Sequence, residues 1–306
     1  MATTAALPPV KQSRRMRKVL PYLLSLPALL VCIGILIPFF TAVYYSLLRY
    51  RLNLPAMKGF IWFQNYINFL TDTKFWHTVY VSLLYAVLTV GIELVLGLAI
   101  ALLLQRPTRL NNFASILLLL PLMTAPALAA LMWKLMTNPN FGILSYLISL
   151  LGFHDFKWAS DPSTAMLTVV LVDVWVYTPF IMILLLAGLR SLPKAPFEAA
   201  ALDGVPRSFV FFRITLPMLM PYIITATLFR MLDSIQQFDI IYAMTQGGPG
   251  DSLLVFQVQA YLDYLQSTNI AKASAMMIIL WAITYTLSNI FIKQWLKLRE
   301  RAHGAA

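Results

Sequence analysis

Residues 76–104 read WHTVYVSLLYAVLTVGIELVLGLAIALLL, a run in which Glu93 is the one charged side chain. A helix needs about 20 apolar residues to cross the hydrocarbon core of a bilayer, so this run is long enough to span it. Lipid leaves no water to satisfy backbone N–H and C=O groups, and only helices and closed barrels can cross. A barrel strand would alternate polar and apolar residues over about ten positions. The run shows no such alternation, so it reads as a transmembrane helix.

Five further runs fit the same template, at 19–43, 112–136, 165–189, 217–245 and 273–296. The fifth carries Arg230, Asp233 and Asp239. Composition agrees with six spans: 60% of the residues are apolar and 11% charged, with a mean hydropathy of +0.75. Soluble domains run at about 45–50% apolar and about 25% charged. That much apolar surface needs lipid as its solvent, so the expectation is an all-α membrane protein.

Placement of the basic residues orients the spans. With both termini in the cytoplasm, the inner segments hold Lys11, Arg14, Arg15, Arg17, Lys18, Arg106, Arg109, Arg190, Lys194, Arg207, Arg213, Lys293, Lys297, Arg299 and Arg301. The outer segments hold only Arg49, Arg51, Lys58, Lys74, Lys157 and Lys272. Cytoplasmic segments are the ones enriched in Lys and Arg. This asymmetry accounts for the net charge of +11 without nucleic acid as a partner. Trp62, Trp76, Tyr80, Trp133 and Trp158 lie near span ends, as an interfacial aromatic belt requires. The apolar run after the basic N-terminus exceeds a signal-peptide core and has no small-residue cleavage site, so it is expected to stay as the first span.

Cys32 is the single cysteine, which excludes an intramolecular disulfide and reads as a small buried apolar residue. His77, His154 and His303 have no ligand-spaced Cys or acidic neighbours, so no metal site is expected.

The inner segment 190–216 differs from the other connections. It contains Glu198-Ala199-Ala200-Ala201-Leu202-Asp203-Gly204 and, nine residues later, Ile214-Thr215-Leu216-Pro217. Three alanines and a leucine favour a short helix, and Gly204 can take the left-handed conformation that ends one. Pro217 is expected near the start of the next span, where its missing N–H costs little. An ordinary connector and a docking surface remain equally open on these grounds.

This pattern (E-A-A, three residues, G, nine residues, I-x-L-P) resembles the signature of inner-membrane permeases of binding-protein-dependent ABC importers. The stretches Phe229–Asp233, Phe238–Tyr242, Thr245–Pro249 and Ala271–Ala275 are similar to the carbohydrate-uptake, maltose-type branch. Ser145, Asn269 and Trp62-Phe63 depart from that branch. The resemblance implies a type I importer permease fold, with a basic cytoplasmic tail at 1–18, a first span at 19–43, a permease core of five spans at 76–296 and a second tail at 297–306. It implies that 190–216 is a coupling loop whose Glu198, Ala199, Ala200, Asp203 and Gly204 contact an ATP-binding subunit. It further implies a second, unlike permease chain, two ATPase subunits that hold ATP and Mg, an extracytoplasmic solute-binding protein, and residence in a bacterial or archaeal inner membrane. This chain itself contains no G-x-x-x-x-G-K-[ST] and cannot cradle ATP phosphates by that mechanism. It is expected to be a transport subunit and not an enzyme.

Ionisable residues inside spans are costly and usually pair or line a cavity. Arg230, Asp233, Ser234 and Gln237 fall on one face of a continuous fifth helix. One reading is an internal Arg230–Asp233 pair with Gln237 bonded to a neighbouring helix. The other is a polar wall of the solute path, which the family resemblance supports. In the fourth span, Asp173, Trp175, Tyr177 and Phe180 would be the aromatic counterpart, suited to stacking on a sugar ring. Glu93 has no partner that the sequence names. A proton-coupled carrier using Glu93, Asp173 and Asp233 is the alternative, though the internal repeats common in such carriers are absent.

Overall fold

The computed structural model describes residues 14–304, so most of the basic tail at 1–18 lies outside the described residues. The first helix, α1 (Arg14–Ser46), leads into a hairpin of β1 (Leu48–Arg49) and β2 (Gly59–Phe60), with Leu48 opposite Phe60. After α2 (Gln64–Thr71) comes α3 (Thr73–Leu104), whose N-cap Asp72 accepts a hydrogen bond from the Lys74 backbone N–H at 2.9 Å. Then follow α4 (Arg109–Leu118), α5 (Pro126–Met136), α6 (Ile143–Leu150) and α7 (Pro162–Ser191). Asp161 caps α7, accepting from the Ser163 hydroxyl at 2.6 Å and its backbone N–H at 2.9 Å. Those two bonds hold its carboxyl below the usual carboxylate range. The remainder is α8 (Ala195–Leu202), α9 (Arg207–Phe209), α10 (Leu216–Ile235), α11 (Asp239–Thr245), α12 (Phe256–Leu265) and α13 (Ile270–Gly304).

Hydropathy located the spans but not their breaks. The expected third span, 112–136, is a pair of helical segments bent by 91° between Met123 and Pro126. A proline disfavours helical geometry in the residue before it, and Ala125 is extended at ψ 129. The expected fifth span, 217–245, is also two pieces. Its helix starts earlier, at Arg207, ends at Ile235, and is separated from α11 by Gln236–Phe238. Pro217 is the second residue of α10, near a helix start as expected. It follows a π-helical turn over Val210–Thr215, a widened register just where the proline cannot donate to the preceding turn.

The buried centre is α7, which runs along α3 and also meets α10. One core cluster joins Val81, Tyr85, Val169, Val172, Ile240 and Leu253, and another joins Ala101, Ile181, Leu185, Leu189, Leu219 and Ala226. Gly97 makes the α3–α7 approach possible, because a Cβ there would stand 2.8 Å from Ile181 Cγ2 and 3.1 Å from the Met182 backbone nitrogen. By contrast, α1 touches mainly α13 and is almost wholly exposed within the chain. Cys32 therefore lies on the exposed surface of α1, not in a protein core; its apolar neighbours are those of a lipid- or partner-facing helix. Trp62, Trp76 and Tyr80 are exposed as a belt requires, but Trp158 is buried under the start of α7 and does not belong to one.

Candidate functional site

The glycine-terminated segment forms as expected. Helix α8 closes with Gly204 at φ +65, the Gly204 N–H bonded to the Ala201 carbonyl and the Val205 N–H to the Ala200 carbonyl, each at 3.3 Å. These two bonds define a Schellman cap, and they satisfy carbonyls that would otherwise face outward unpaired. Glu198, Ala199, Asp203 and Gly204 are exposed, and Leu202 projects with 90% of its surface free. Ala200 is the exception among the expected contact residues. It is buried and packs toward its own chain, because the helix repeat turns one of three consecutive alanines inward. Beside α8 lies a cleft of about 730 Å³ lined in part by Arg106, Lys194, Glu198, Arg207 and Phe211. Arg190 fastens this end of α7 to α3, donating to the Leu104 carbonyl at 3.0 Å, the Gln105 carbonyl at 3.3 Å and Asn112 Oδ1 at 3.2 Å. A cation on the last carbonyls of a helix satisfies them and complements the dipole.

Within the spans, the polar residues converge on Arg230. Its Nε donates to Glu93 Oε2 at 2.7 Å and its Nη2 to Glu93 Oε1 at 2.8 Å, a two-point pairing of α10 with α3. Nη2 also donates to Asp173 Oδ2 at 2.7 Å, which brings in α7, and Nη1 to Asp233. Tyr177 lies against the guanidinium, 4.0 Å from ring centroid to Cζ. Gln237 Nε2 extends the network, donating to Asp173 Oδ1 at 3.1 Å, and a separate 2.8 Å bond between the Thr89 and Ser234 hydroxyls joins α3 to α10. Arg230 is 1% exposed, and Glu93 and Asp173 are fully buried.

This arrangement corrects part of the sequence reading. Arg230 and Ser234 do not form an accessible polar wall: they face the chain's own α3 and α7. The internal Arg230–Asp233 pair exists, but it is one edge of a larger network. Gln237 is not on the face of a continuous helix either. It lies in the break after α10, with its side-chain Oε1 accepting the Phe238 backbone N–H at 3.1 Å while its Nε2 donates to Asp173. Glu93, unassigned from sequence, is the two-point partner of Arg230. The clue available was energetic: Arg230 is the one arginine in the hydrocarbon-length runs, and carboxylates such as Glu93 and Asp173 in neighbouring runs must find a cation, since a lone ion there is costly.

Residues 93–301 match the family described as the binding-protein-dependent transport system inner membrane component. The chain belongs to that family. This transport component is 32% identical over 275 residues to the trehalose/maltose transport system permease protein MalF of Thermococcus litoralis, covering 90% of this chain and 92% of the relative. It is 30% identical over 271 residues to the sulfoquinovosyl glycerol transport system permease protein SmoG of Agrobacterium fabrum, covering 89% and 88%. A solved bacterial ABC transporter involved in import of the acidic polysaccharide alginate shares the fold, with a TM-score of 0.78 at 18% identity over 93% of this chain and 99% of that one. The chain is thus an ABC importer permease with the type I fold. The proton-coupled alternative has no support: its three carboxylates are gathered on one guanidinium, not strung out as a relay.

The aromatic residues of this permease divide. On α7, Asp173, Tyr177 and Phe180 share a face, with Tyr177 on Arg230 and Phe180 packed among core residues. Trp175 points the other way, 38% exposed, with its ring 6.0 Å from that of Trp133. It cannot act together with Tyr177, because two positions along a helix turn the side chain about 200°. Sequence reading passed over a cluster of Phe238, Tyr242 and Tyr261, whose ring centroids lie 4.9–5.0 Å apart. Tyr261 comes from α12, so no local periodicity could have joined it to the other two.

Proposed function

We propose that this permease supplies half of the transmembrane path for a sugar or related polyol and is driven through α8. A second, unlike permease chain completes the path, an extracytoplasmic binding protein delivers solute, and two ATP-binding subunits act from the side that carries Arg106, Arg190, Lys194 and Arg207. The names of the relatives support a carbohydrate class of solute. The observation that carries the coupling role is α8 itself: a capped short helix with Glu198, Ala199 and Leu202 exposed, set between α7 and α10, the helices that carry Asp173 and Arg230. Small side chains allow another backbone to approach, and Leu202 offers an apolar contact that this chain leaves uncovered. The solute face is assigned to Asp233 and Tyr177, the members of the charged network that reach the surface.

The test is Glu198→Lys in the full complex. Uptake should be lost and the ATP-binding subunits should no longer co-purify, while the permease pair still inserts and migrates as the wild type does. Unchanged uptake would remove α8 from the coupling role.

A further inference from the structure

The relatives' names include both a neutral sugar system, for trehalose and maltose, and a system for sulfoquinovosyl glycerol, which bears an anionic sulfonate. The charged network separates these two classes for the present chain. We infer that this half of the path selects for neutral polyols and rejects anionic solutes, with Asp233 as the specificity-determining group; the inference rests on the carbohydrate-path reading above.

An anionic solute crossing a desolvated path needs a cation that can reach it. Arg230 is the obvious candidate, and it is spent. Four of its five N–H donors are bonded to carboxylates, the ring of Tyr177 lies against the guanidinium, and 1% of its side chain is exposed. A second permease chain packed on this one could only add cover in this arrangement. Lys134, near the end of α5, is exposed and donates to the Ala243 carbonyl at 3.3 Å, and it takes no part in the bonds around Arg230.

The sign of the network points the same way. One guanidinium faces Glu93, Asp173 and Asp233, so the group carries net positive charge only if all three carboxyls are protonated. The part that a solute can touch is the Asp233 carboxylate, 55% exposed, beside the half-buried Tyr177. A carboxylate is an acceptor on both oxygens and binds the O–H donors of a polyol. The same carboxylate repels a sulfonate, phosphate or uronate, and the low dielectric strengthens that repulsion. Arg230 here is a positioning residue that fixes the Asp233 carboxylate; it need not touch solute.

Equilibrium binding to the purified four-subunit complex in nanodiscs, without the binding protein, tests this directly. The probes are radiolabelled trehalose and maltose against glycerol 3-phosphate and a glucuronic-acid disaccharide. The neutral sugars should bind at least about tenfold more tightly than the anions. Asp233→Asn, which keeps an acceptor for Arg230, should cut that ratio to under about threefold by strengthening anion binding; Asp233→Ser serves if the amide variant fails to assemble. Equal or tighter binding of the anions by wild type, or a ratio indifferent to both substitutions, overturns the inference while leaving a carbohydrate path standing. Binding of neither class by wild type removes the carbohydrate-path reading and this inference with it.

Discussion

Arg230→Met and Glu93→Gln remove opposite partners of the same buried pair, and the network predicts very different costs. Methionine follows the volume of the arginine stem but strands Glu93 and Asp173, both fully buried, without a cation. Removing one partner of a buried ion pair costs about 3–5 kcal/mol, because the other charge is left uncompensated. Protonation of a stranded carboxylate limits the penalty, so about 3 kcal/mol is the working figure, a change of roughly 150-fold in the folded ratio. Glu93→Gln behaves otherwise. It trades one of two hydrogen bonds for a donor–donor contact, yet Arg230 keeps Asp173 and Asp233, and an excess negative charge disappears. A net cost under about 1.5 kcal/mol follows, the scale of a single hydrogen bond. The assay is heating of the detergent-solubilised complex followed by size-exclusion of the surviving folded fraction. At a temperature where wild type and Glu93→Gln largely survive, Arg230→Met should have lost most of its folded peak. Equal survival of the two variants, or a greater loss for Glu93→Gln, would refute the view that one cation holds three carboxylates in place.

Two glycines give independent tests of the scaffold. Gly204→Ala forces an alanine to φ +65 and should cost about 1 kcal/mol at the end of α8, with Gly204→Asn milder; faster proteolysis of the exposed segment after Leu202 would report it. Gly97→Val should cost about 1–3 kcal/mol by overpacking against Ile181 and the Met182 backbone, whereas Gly91→Ala, with open space around its Cβ, should be neutral or stabilising in the same heating assay.

Much of the fold was legible because lipid imposes a one-dimensional constraint: a span must be apolar over a fixed length, and length and hydropathy are properties of consecutive residues. The α8 cap was legible for a similar reason. A helix-favouring run and a glycine within it are local, and Gly204 took the left-handed conformation that such a sequence favours. What hydropathy could not register was backbone chemistry inside an apolar run. Pro126 divides the third span, and Gln237 takes over backbone and side-chain bonds where the fifth would have continued, although both positions lie in stretches hydrophobic enough to cross.

The charged network was half legible, and the missing half shows where sequence reasoning has to change its method. Helical periodicity placed Arg230 and Ser234 on a common face but could not say which way the face turned. Cavity-facing and core-facing polar stripes have the same period. The partners that decide the matter, Glu93 and Asp173, lie 137 and 57 residues away in the chain. Energetics supplies what periodicity lacks. Inside hydrocarbon an unpaired ion costs several kcal/mol, so every intramembrane charge constrains the packing of the helices that bear the others. Applied to this chain, with Arg230 on α10, Glu93 and Asp173 in the middle of α3 and α7, and Asp233 beside Arg230, that rule requires these helices to meet at one level. Two of them, α7 and α10, carry the α8 segment between them, and the third, α3, is fastened by Arg190 to the end of α7 that leads into it. A displacement of α8 therefore acts first on α7 and α10, at a junction whose ionic bonds resist separation of the two. Movement transmitted from that end should proceed with Glu93, Asp173 and Arg230 held together as one unit, leaving Asp233, the half-exposed member, as the group whose surroundings change.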